Sequence, residues 1–421
     1  MKTLLYFEEC ESVLSEKLLE RTDINIIILR TTKNLKFFSP EYLHRTNTYN
    51  VFVADYNNDI TTEAKRFLLW CKENKIFPTH FLNDSEYYLE YANEFARTIG
   101  LEALSKEQVQ WVRDKVAMKD KFQKSDILTT DFQPVNNLQE LIDFHMRHPG
   151  KDIIIKPRSE MNSKGVYRIS DINDIYNLPY EIIPNKYMAE VFCEGHEWSI
   201  ESLVQDGKVL DSYLSYLPNA TIWASIENKL HAHMTCLDIP DYFQFEPKAY
   251  IQKIVDAMNL KNGTMTIEIF VMSDGTPVAS ELGWRLPGEM ACENHSDSYG
   301  FDIWNALIDI SLRNPITLKY SEEKKCVGIL SLPNLEGIVS YVTPLDELLK
   351  FEGAFEGKIF AKIGQYQKKR RVGSDKSGYI RVYGKNVEEV EKRMQKIHDY
   401  FRIQVDHNHT LKLVKKNEEN I

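Results

Sequence analysis

Long apolar runs, paired cysteines and an excess of positive charge are all missing from this chain of 421 residues. No apolar run approaches the roughly 20 residues that a membrane helix needs, and the N-terminus reaches Glu8 and Glu9 too soon for a signal peptide. The six cysteines include no C-x-x-C pair, which favours reduced thiols. The net charge of −10 argues against nucleic acid as the main partner. We therefore expect a cytoplasmic protein with no nucleic-acid or membrane partner.

Residues 1–105 alternate short apolar runs with amphipathic segments. The pattern predicts strands over Thr3–Phe7, Ile24–Leu29 and Val51–Ala54 and helices over Glu11–Glu20, Thr62–Asn74 and Ser85–Thr98. Strands that alternate with helices indicate a parallel sheet covered on both faces. No G-x-G-x-x-G follows the first strand, so a dinucleotide-binding domain is not supported.

The remainder of the chain is predicted to be α+β, which makes the fold class α/β and α+β multidomain. Residues 106–188 predict a small lobe with one helix over Gln108–Ser125 and a turn near Phe132–Pro134. Residues 189–318 predict a larger lobe, in which Ser273-Asp274-Gly275 turns a hairpin and a helix covers Phe301–Arg313. Residues 319–421 predict a β-rich C-terminal module.

Lys156 ends an apolar run, Ile153–Ile155, and a polar loop, Ser159–Gly165, follows it. Backbone N–H groups and the Ser163 hydroxyl of such a loop can cover phosphate oxygens, and a lysine can neutralise them. A lysine at the end of a strand is more often simply solvated. The loop therefore makes phosphate binding a hypothesis that depends on other charged residues.

Glu268 and Glu281 each follow apolar or small residues, and Arg285 comes shortly after Glu281. The strand around Glu268 predicts a buried carboxylate, which would be costly without a partner. Two carboxylates on adjacent antiparallel strands can share Mg²⁺. The structural alternative is that Arg285 pairs with Glu289 or another acid and braces the end of the strand.

Five motifs in this order resemble the ATP-grasp superfamily. They are Asp114-Lys115, Ile155-Lys156-Pro157, Glu190-x-Phe192-x-x-Gly195-x-Glu197, Glu268, and Glu281-x-x-x-Arg285. Within the superfamily the chain looks most like the carboxylate–amine ligases, in particular the bacterial L-amino-acid ligases. The resemblance implies a pre-ATP-grasp α/β domain, an ATP-grasp fold of two α+β lobes that hold ATP between them, and the β-rich C-terminal module.

The resemblance also implies a role for each motif residue. Those implied to bind ATP are Lys115, Lys156, Ser163, Gly165, Glu190, Phe192 and Glu197, with Glu190 contacting adenine largely through its backbone and Glu197 binding the ribose. Glu268 and Glu281 would hold Mg²⁺, or Mn²⁺ in its place. Gly283 stands where relatives often have an asparagine ligand, which leaves the second metal's coordination open. Arg285 would be catalytic, and the substrate would contact His233, Arg285 and Gly288.

The implied reaction activates an amino-acid carboxylate as an acyl phosphate and couples it to an amine, with release of ADP and phosphate. One alternative is a ligase that loads an amino acid onto a carrier-protein thiol, and another is a nucleotide-binding protein without activity. The implied partners are a small-molecule carboxylate and an amine, with a homodimer as the expected assembly. A zinc site at His231, His233 and Cys236 is a weaker hypothesis, because no fourth ligand is close in the sequence.

Overall fold

The N-terminal part of the protein is a parallel sheet with helices on its faces. The structure is a computed structural model that describes residues 1–219, 229–369 and 375–406. The first four strands pair in the order β3-β2-β1-β4, and all three pairings are parallel, as the alternating pattern predicted. These strands are β1 (Thr3–Phe7), β2 (Asn25–Thr31), β3 (Asn50–Ala54) and β4 (His80–Asn83).

Four helices accompany this sheet, and most begin at a residue whose side chain caps them. They are α1 (Val13–Leu19), α2 (Pro40–Thr46), α3 (Ile60–Asn74) and α4 (Leu89–Thr98). Ser12, Ser39 and Asp59 accept hydrogen bonds from the first turns of α1, α2 and α3. Helix α4 begins four residues later than predicted, so Asp84 to Tyr88 stay in the loop that follows β4.

The single helix predicted over Gln108–Ser125 is wrong, because the chain breaks at Asp114. Helix α5 (Lys106–Arg113) ends there and α6 (Lys115–Lys124) begins. Asp114 is extended, and its carboxylate accepts hydrogen bonds from the backbone N–H groups of Val116 and Ala117. A capping aspartate starts a helix as readily as it interrupts one. The break makes Lys115 the first residue of a new helix.

A small antiparallel sheet forms the next lobe, with strand order β5-β8-β6-β7. Its elements are β5 (Phe132–Val135), α7 (Leu138–Arg147), β6 (Ile153–Pro157), β7 (Tyr167–Ile169), α8 (Ile172–Tyr176) and β8 (Tyr187–Val191). The turn predicted near Phe132–Pro134 is wrong: Pro134 lies in β5, which is an edge strand, where a missing backbone donor is tolerated. The core of this lobe includes Leu141, Phe144 and Ile155.

A larger antiparallel sheet of eight strands runs in the order β13-β12-β9-β10-β11-β14-β18-β16. Its strands are β9 (His196–Gln205), β10 (Lys208–Tyr216), β11 (His231–Cys236), β12 (Gly263–Val271), β13 (Pro277–Gly283), β14 (Cys326–Leu332), β16 (Ala354–Ile359) and β18 (Gly378–Gly384). The predicted hairpin is confirmed by the β12–β13 pairing. Its turn needs Gly275, because φ is +84° and a Cβ would lie 1.9 Å from the Tyr242 carbonyl oxygen.

The C-terminal residues extend this large sheet and add a small one. Strands β15 (Gly337–Val342), β17 (Tyr366–Gln367) and β19 (Ile403–Asp406) form the small sheet. The helices of this half are α9 (Pro247–Met258), α10 (Ala291–Tyr299), α11 (Ile303–Ser311), α12 (Leu345–Leu348) and α13 (Val387–Tyr400). Because β14, β16 and β18 belong to the large sheet, the predicted C-terminal module shares its main sheet with the larger lobe; the four-domain division stays a prediction. Among the described helices, none is both long and apolar enough to cross a membrane.

Candidate active site

Glu268 and Glu281 face each other across the paired strands β12 and β13. On β12 the neighbours Ile267 and Ile269 are fully buried, whereas the Glu268 side chain is exposed on the other face. The expectation of a buried Glu268 is therefore wrong, because alternate residues of a strand point to opposite faces. Strand β9 places Ser199 on the other side of Glu268. The two carboxylates thus lie side by side on one face of the large sheet, where the Lys115 and Lys156 side chains approach them; this space is called here the carboxylate cleft.

The two carboxylates sit in unlike electrostatic surroundings. The Glu268 side chain opens into the cleft, but protein surrounds it, and this partial desolvation raises its pKa. The negative charges of Glu281 and Glu197 raise the pKa further. The same desolvation would raise the pKa of Glu281, but the ammonium groups of Lys115 and Lys156 outweigh it and lower that pKa. A cation beside Glu268 would therefore relieve a repulsion that the protein's own lysines leave in place.

Both lysines predicted to bind ATP phosphates pair with carboxylates in this structure. The Nζ atom of Lys115, at the start of α6, is 2.8 Å from Glu281 Oε1 and donates to the Glu160 carbonyl oxygen at 2.7 Å. The Nζ atom of Lys156, at the end of β6, is 2.6 Å from Glu190 Oε1. The structure therefore brings Lys115, Lys156, Glu190 and Glu281 into one charged cluster.

Lys119 is a member of this cluster that the sequence interpretation missed. Its side chain is fully buried, and its Nζ atom is 2.9 Å from Glu190 Oε2 and 2.6 Å from Thr129 Oγ1. Burial lowers the pKa of Lys119 despite the opposing charge of Glu190. The spacing from Lys115 was the available signal, because residues four apart share a helix face.

The Glu190 carboxylate connects two lysines, whereas the sequence interpretation gave a role mainly to its backbone. Its two oxygens contact Lys156 and Lys119 separately, and Thr130 donates a further hydrogen bond at 2.8 Å. Burial by itself would raise the pKa of Glu190, but the two ammonium groups hold it well below its usual range. Glu190 is therefore a charged, structural centre of the site.

The polar loop Ser159–Gly165 is attached to the α5–α6 break. The Lys115 N–H donates to the Arg158 carbonyl oxygen at 2.9 Å, and the Arg113 guanidinium donates to the Ser159 carbonyl oxygen at 2.6 Å. Within the loop, Ser163 and Gly165 have positive φ values of +58° and +73°. Consecutive turns of this kind can point backbone N–H groups toward an anion. The structure thus places the loop beside Lys115, as a phosphate-covering role requires.

Phe192 lies on the connection from the small lobe to strand β9, and Glu197 lies near the start of β9. The Phe192 ring packs under the Arg168 guanidinium, with 4.2 Å from Cζ to the ring centroid. Glu197 is largely buried and stands opposite Phe270 in the β9–β12 pairing. Its charge contributes to the raised pKa of Glu268, which puts Glu197 near the carboxylate pair. Contacts to adenine and ribose stay predictions for these residues.

Arg285 pairs with Glu86, a residue of the β4–α4 loop that the sequence interpretation also missed. The Arg285 Nε atom is 2.5 Å from Glu86 Oε2, and the other Glu86 oxygen is 2.8 Å from Arg113 Nη1. Glu289, named as a structural partner of Arg285, instead lies 3.5 Å from His231 Nε2. Glu86 therefore links the predicted catalytic arginine to the arginine that holds the polar loop.

Of the remaining predicted substrate residues, His233 stands on the same face of the large sheet as Glu268, and Gly288 lies in the segment between β13 and α10. The Nδ1 atom of His233 is buried without a hydrogen-bond partner, and burial lowers the pKa of its ring. Gly288 is exposed, and a Cβ added there would meet nothing within 4 Å. His231, His233 and Cys236 do not assemble into a metal site; within the described residues no group of three or more His, Cys, Asp and Glu side chains could hold a metal.

Beside His233 lies a buried polar network that the sequence interpretation did not predict. His295 Nε2 is 2.9 Å from Glu201 Oε2, and His295 Nδ1 is 3.1 Å from Thr235 Oγ1. Ser215 donates to the same Glu201 oxygen at 2.8 Å. Each member comes from a different element, so no local motif could have shown it. The network supports the sheet face on which Glu268 and His233 stand.

Comparison with curated proteins finds one informative relative. No family model matches the chain. The L-arginine-specific L-amino acid ligase of Bacillus subtilis is 20% identical over 384 residues, which cover 89% of this chain and 91% of the relative. The similarity therefore spans nearly the whole of both proteins.

Solved structures with the same fold include a ligase and a synthetase. The L-amino acid ligase of Bacillus licheniformis has a TM-score of 0.72 at 16% identity, and the match covers 97% of this chain and 99% of that one. Phosphoribosylglycinamide synthetase from Anaerococcus prevotii has a TM-score of 0.64 at 18% identity, with 96% and 100% covered. At these identities the structures show the fold. The curated relative and these structures agree with the resemblance to the ATP-grasp carboxylate–amine ligases that the order of the site motifs carries.

Proposed function

We propose that the protein is an ATP-dependent ligase that activates an amino-acid carboxylate as an acyl phosphate and couples it to an amine. The observation that carries the proposal is the meeting of Glu268 and Glu281 on the large sheet with Lys115 and Lys156 at the small lobe. Two acids that face two lysines can hold a triphosphate and its metal between them. A related synthase of the same fold, from Aspergillus clavatus, has been solved in complex with ATP.

The carboxylate pair fits Mg²⁺, with Mn²⁺ as a substitute. Carboxylate oxygens are the ligands these ions prefer, and a metal ion would offset the burial and the neighbouring carboxylate charges that raise the pKa of Glu268. Gly283 offers no side-chain ligand, so ATP oxygens and water would complete the coordination. When bound, the metal supplies charge neutralisation at the phosphates.

In the proposed reaction the substrate carboxylate attacks the γ-phosphorus of ATP, and the bond to the bridging oxygen breaks to release ADP. The amine then attacks the carbonyl carbon of the acyl phosphate, loses a proton, and expels phosphate. Lys115 and Lys156 exchange their carboxylate partners for phosphate oxygens. Arg285 turns its planar fork from Glu86 to the acyl phosphate. The residues therefore act mainly through charge and positioning.

The substrates are proposed to be small molecules. The family resemblance is the basis for proposing His233, Gly288 and Arg285 as substrate contacts, and L-arginine is the first candidate to test because the curated relative is named for it. Transfer to a carrier-protein thiol uses the same acyl phosphate and stays the alternative. A cytoplasmic location and a homodimer belong to the proposal; the six free cysteines agree with a reducing compartment.

The test is ADP release over a panel of amino acids, alone and in pairs, with hydroxylamine as a trap. ADP and a hydroxamate from one amino acid would demonstrate the acyl phosphate, and a dipeptide from a pair would identify the acceptor. Turnover with a carrier protein but with no amine would favour the thiol alternative. No ADP release with any amino acid, amine or carrier would contradict the ligase proposal.

A further inference from the structure

A second cavity, of about 330 Å³, lies apart from the carboxylate cleft. Its walls are the edge strand β4, the start of α5, residues 259–264 and the end of α11. Trp284 also lines it, on the face of the sheet opposite to Glu281, since side chains alternate along this segment. None of the described residues assigned above to ATP, metal or substrate belongs to its lining. Cavities of this size hold small molecules.

Amide side chains are the most frequent polar groups of this lining, and two of them fix its shape. Leu104 N–H donates to Asn93 Oδ1 at 2.9 Å, and Gln108 Nε2 donates to the Asn259 carbonyl oxygen at 2.6 Å. These bonds tie the segment just before α5 to α4, and α5 itself to the end of α9. The walls are therefore held in place independently of any ligand, which reduces the entropy cost of binding.

Three polar atoms of lining residues are buried without a hydrogen-bond partner: Thr264 Oγ1, Asn262 Nδ2 and Asn83 Oδ1. The other end of each amide is engaged, because Asn83 Nδ2 donates to the Ser85 carbonyl oxygen and Asn262 Oδ1 accepts from Asp206 N–H. Thr264 is only 3% exposed. Buried polar atoms are almost always paired. Each of these atoms has almost no accessible surface, so a ligand in the cavity would meet it after a small rotation of the side chain; together the three supply unused hydrogen-bonding capacity around one cavity.

Positive charge surrounds the same cavity. Lys261 is exposed at its edge and makes no ion pair within the parts of the chain that the structure describes. Arg313 pairs with Glu102 at 2.8 Å and with Asp206 at 3.7 Å, and Glu102 is the only acid among the described residues of the lining. Burial, followed by the charges of Lys2 and Arg313, lowers the pKa of His80. The cavity therefore suits an anionic group.

We propose that this cavity is a second small-molecule site, for a carboxylate-bearing ligand the size of an amino acid or dipeptide. Lys261 and Arg313 meet the carboxylate, and Asn83, Asn262 and Thr264 meet the other polar groups. Amides and a hydroxyl match the amine and amide groups of such ligands better than they match a bare phosphate. The site stands apart from the proposed ligase reaction.

The test is isothermal titration of the full chain without nucleotide, with free amino acids, dipeptides and inorganic phosphate as separate probes. The variant Lys261→Glu is compared with Lys208→Glu, which makes the same charge change at an exposed lysine of β10 outside the cavity. We expect saturable binding that Lys261→Glu weakens about tenfold or more and Lys208→Glu leaves unchanged. Neither substitution lies in the carboxylate cleft, so any probe that binds there contributes equally to both titrations. A failure of the proposed ligase function would therefore leave this comparison unchanged.

A second variant, Thr264→Val, keeps the side-chain shape and removes the unpartnered hydroxyl. We expect a higher melting temperature without a probe and weaker probe binding, a pair of opposite effects that a purely structural threonine would not give. The proposal is overturned if no probe shows binding that depends on Lys261, or if Thr264→Val leaves binding intact. Binding of phosphate without amino acids or dipeptides overturns the proposed ligand class.

Discussion

Lys115 and Glu281 form an ion pair of 2.8 Å between the first residue of α6 and the hairpin strand β13. The pair joins a residue assigned to ATP phosphate and a residue assigned to the metal. An incoming Mg-ATP would therefore separate the two and give each a new partner of opposite charge. This exchange makes both residues sensitive to a change of charge alone.

Glu281→Gln should abolish turnover while the fold stays intact, and Glu268→Gln should behave alike. Loss of one charge-stabilising group typically costs about 10²–10³ in rate, and a metal ligand should cost at least that. The measurement is ADP release at saturating Mg²⁺. Glu388→Gln serves as the control, because Glu388 is a surface acid that pairs with the equally exposed Lys392 on α13. Near-normal turnover in the Glu281 variant would remove the metal assignment.

Glu190→Gln should destabilise the protein, because it leaves Lys119 and Lys156 buried without their anion. Breaking one partner of a buried pair typically costs about 3–5 kcal/mol. Because the pKa of Glu190 is lowered in the folded protein, its contribution to stability decreases as the pH falls. Its stabilisation is complete above the pKa of an unfolded glutamate, roughly 4.3, and is lost as the pH falls toward the depressed folded value. Urea unfolding of the unsubstituted protein and the variant should therefore show a difference in unfolding free energy that narrows below about pH 4. A difference that does not change with pH would contradict the charge argument.

Arg285→Lys should lower kcat about tenfold or more while ATP affinity changes little. The variant keeps the charge but loses the planar fork, and about 1.4 kcal/mol is tenfold in rate. The pairing with Glu86 supplies the structural alternative. If Arg285 only braces this contact, both Arg285→Lys and Glu86→Gln should lower the melting temperature and leave kcat unchanged. Melting temperature, nucleotide affinity and turnover measured on one preparation separate the two roles.

Asp84→Asn should stabilise the protein at neutral pH. Burial raises the pKa of Asp84 to about 6, although the Leu286 N–H donates to its carboxylate at 2.7 Å. A carboxyl with a raised folded pKa keeps its proton longer than the unfolded chain does, so stability falls as pH rises from about 4 to about 6. The asparagine can still accept the Leu286 hydrogen bond. We expect a gain of roughly 1–3 kcal/mol at pH 7 and none near pH 3; equal gains at both would refute the titration argument.

Residues from about Pro134 to Tyr187 should close over bound nucleotide as a unit. This lobe carries the polar loop and has its own core, separate from those of the larger domains. Hydrogen exchange of Ser159–Gly165 should slow when an ATP analogue and Mg²⁺ are added together. Helix α13, whose inner face packs in the core of the C-terminal part, provides an internal control that should not respond. Equal exchange of the loop with and without the analogue would count against the lid.

The sequence alone determined the fold class, the hairpin and the order of the site motifs. Glu268, Glu281 and Lys156 stand at recognisable places because a charge within or after an apolar strand interrupts a strong local pattern. Periodicity over a few neighbouring residues is sufficient to find such interruptions. Periodicity could not predict the break at Asp114. An aspartate at that place can either continue one helix or cap the start of a new one, and the local sequence does not decide between the two.

Only the tertiary structure decided which charges meet. Lys119, Glu190 and Lys156 come from α6, β8 and β6, and Glu86 and Arg285 come from opposite halves of the chain. It also turned Glu268 into the cleft and gathered three unpaired polar atoms around the second cavity. Ion pairs form at about 3–4 Å in space whatever the separation along the chain. A single sequence therefore shows which charges are available, and the packing of the sheets selects their partners.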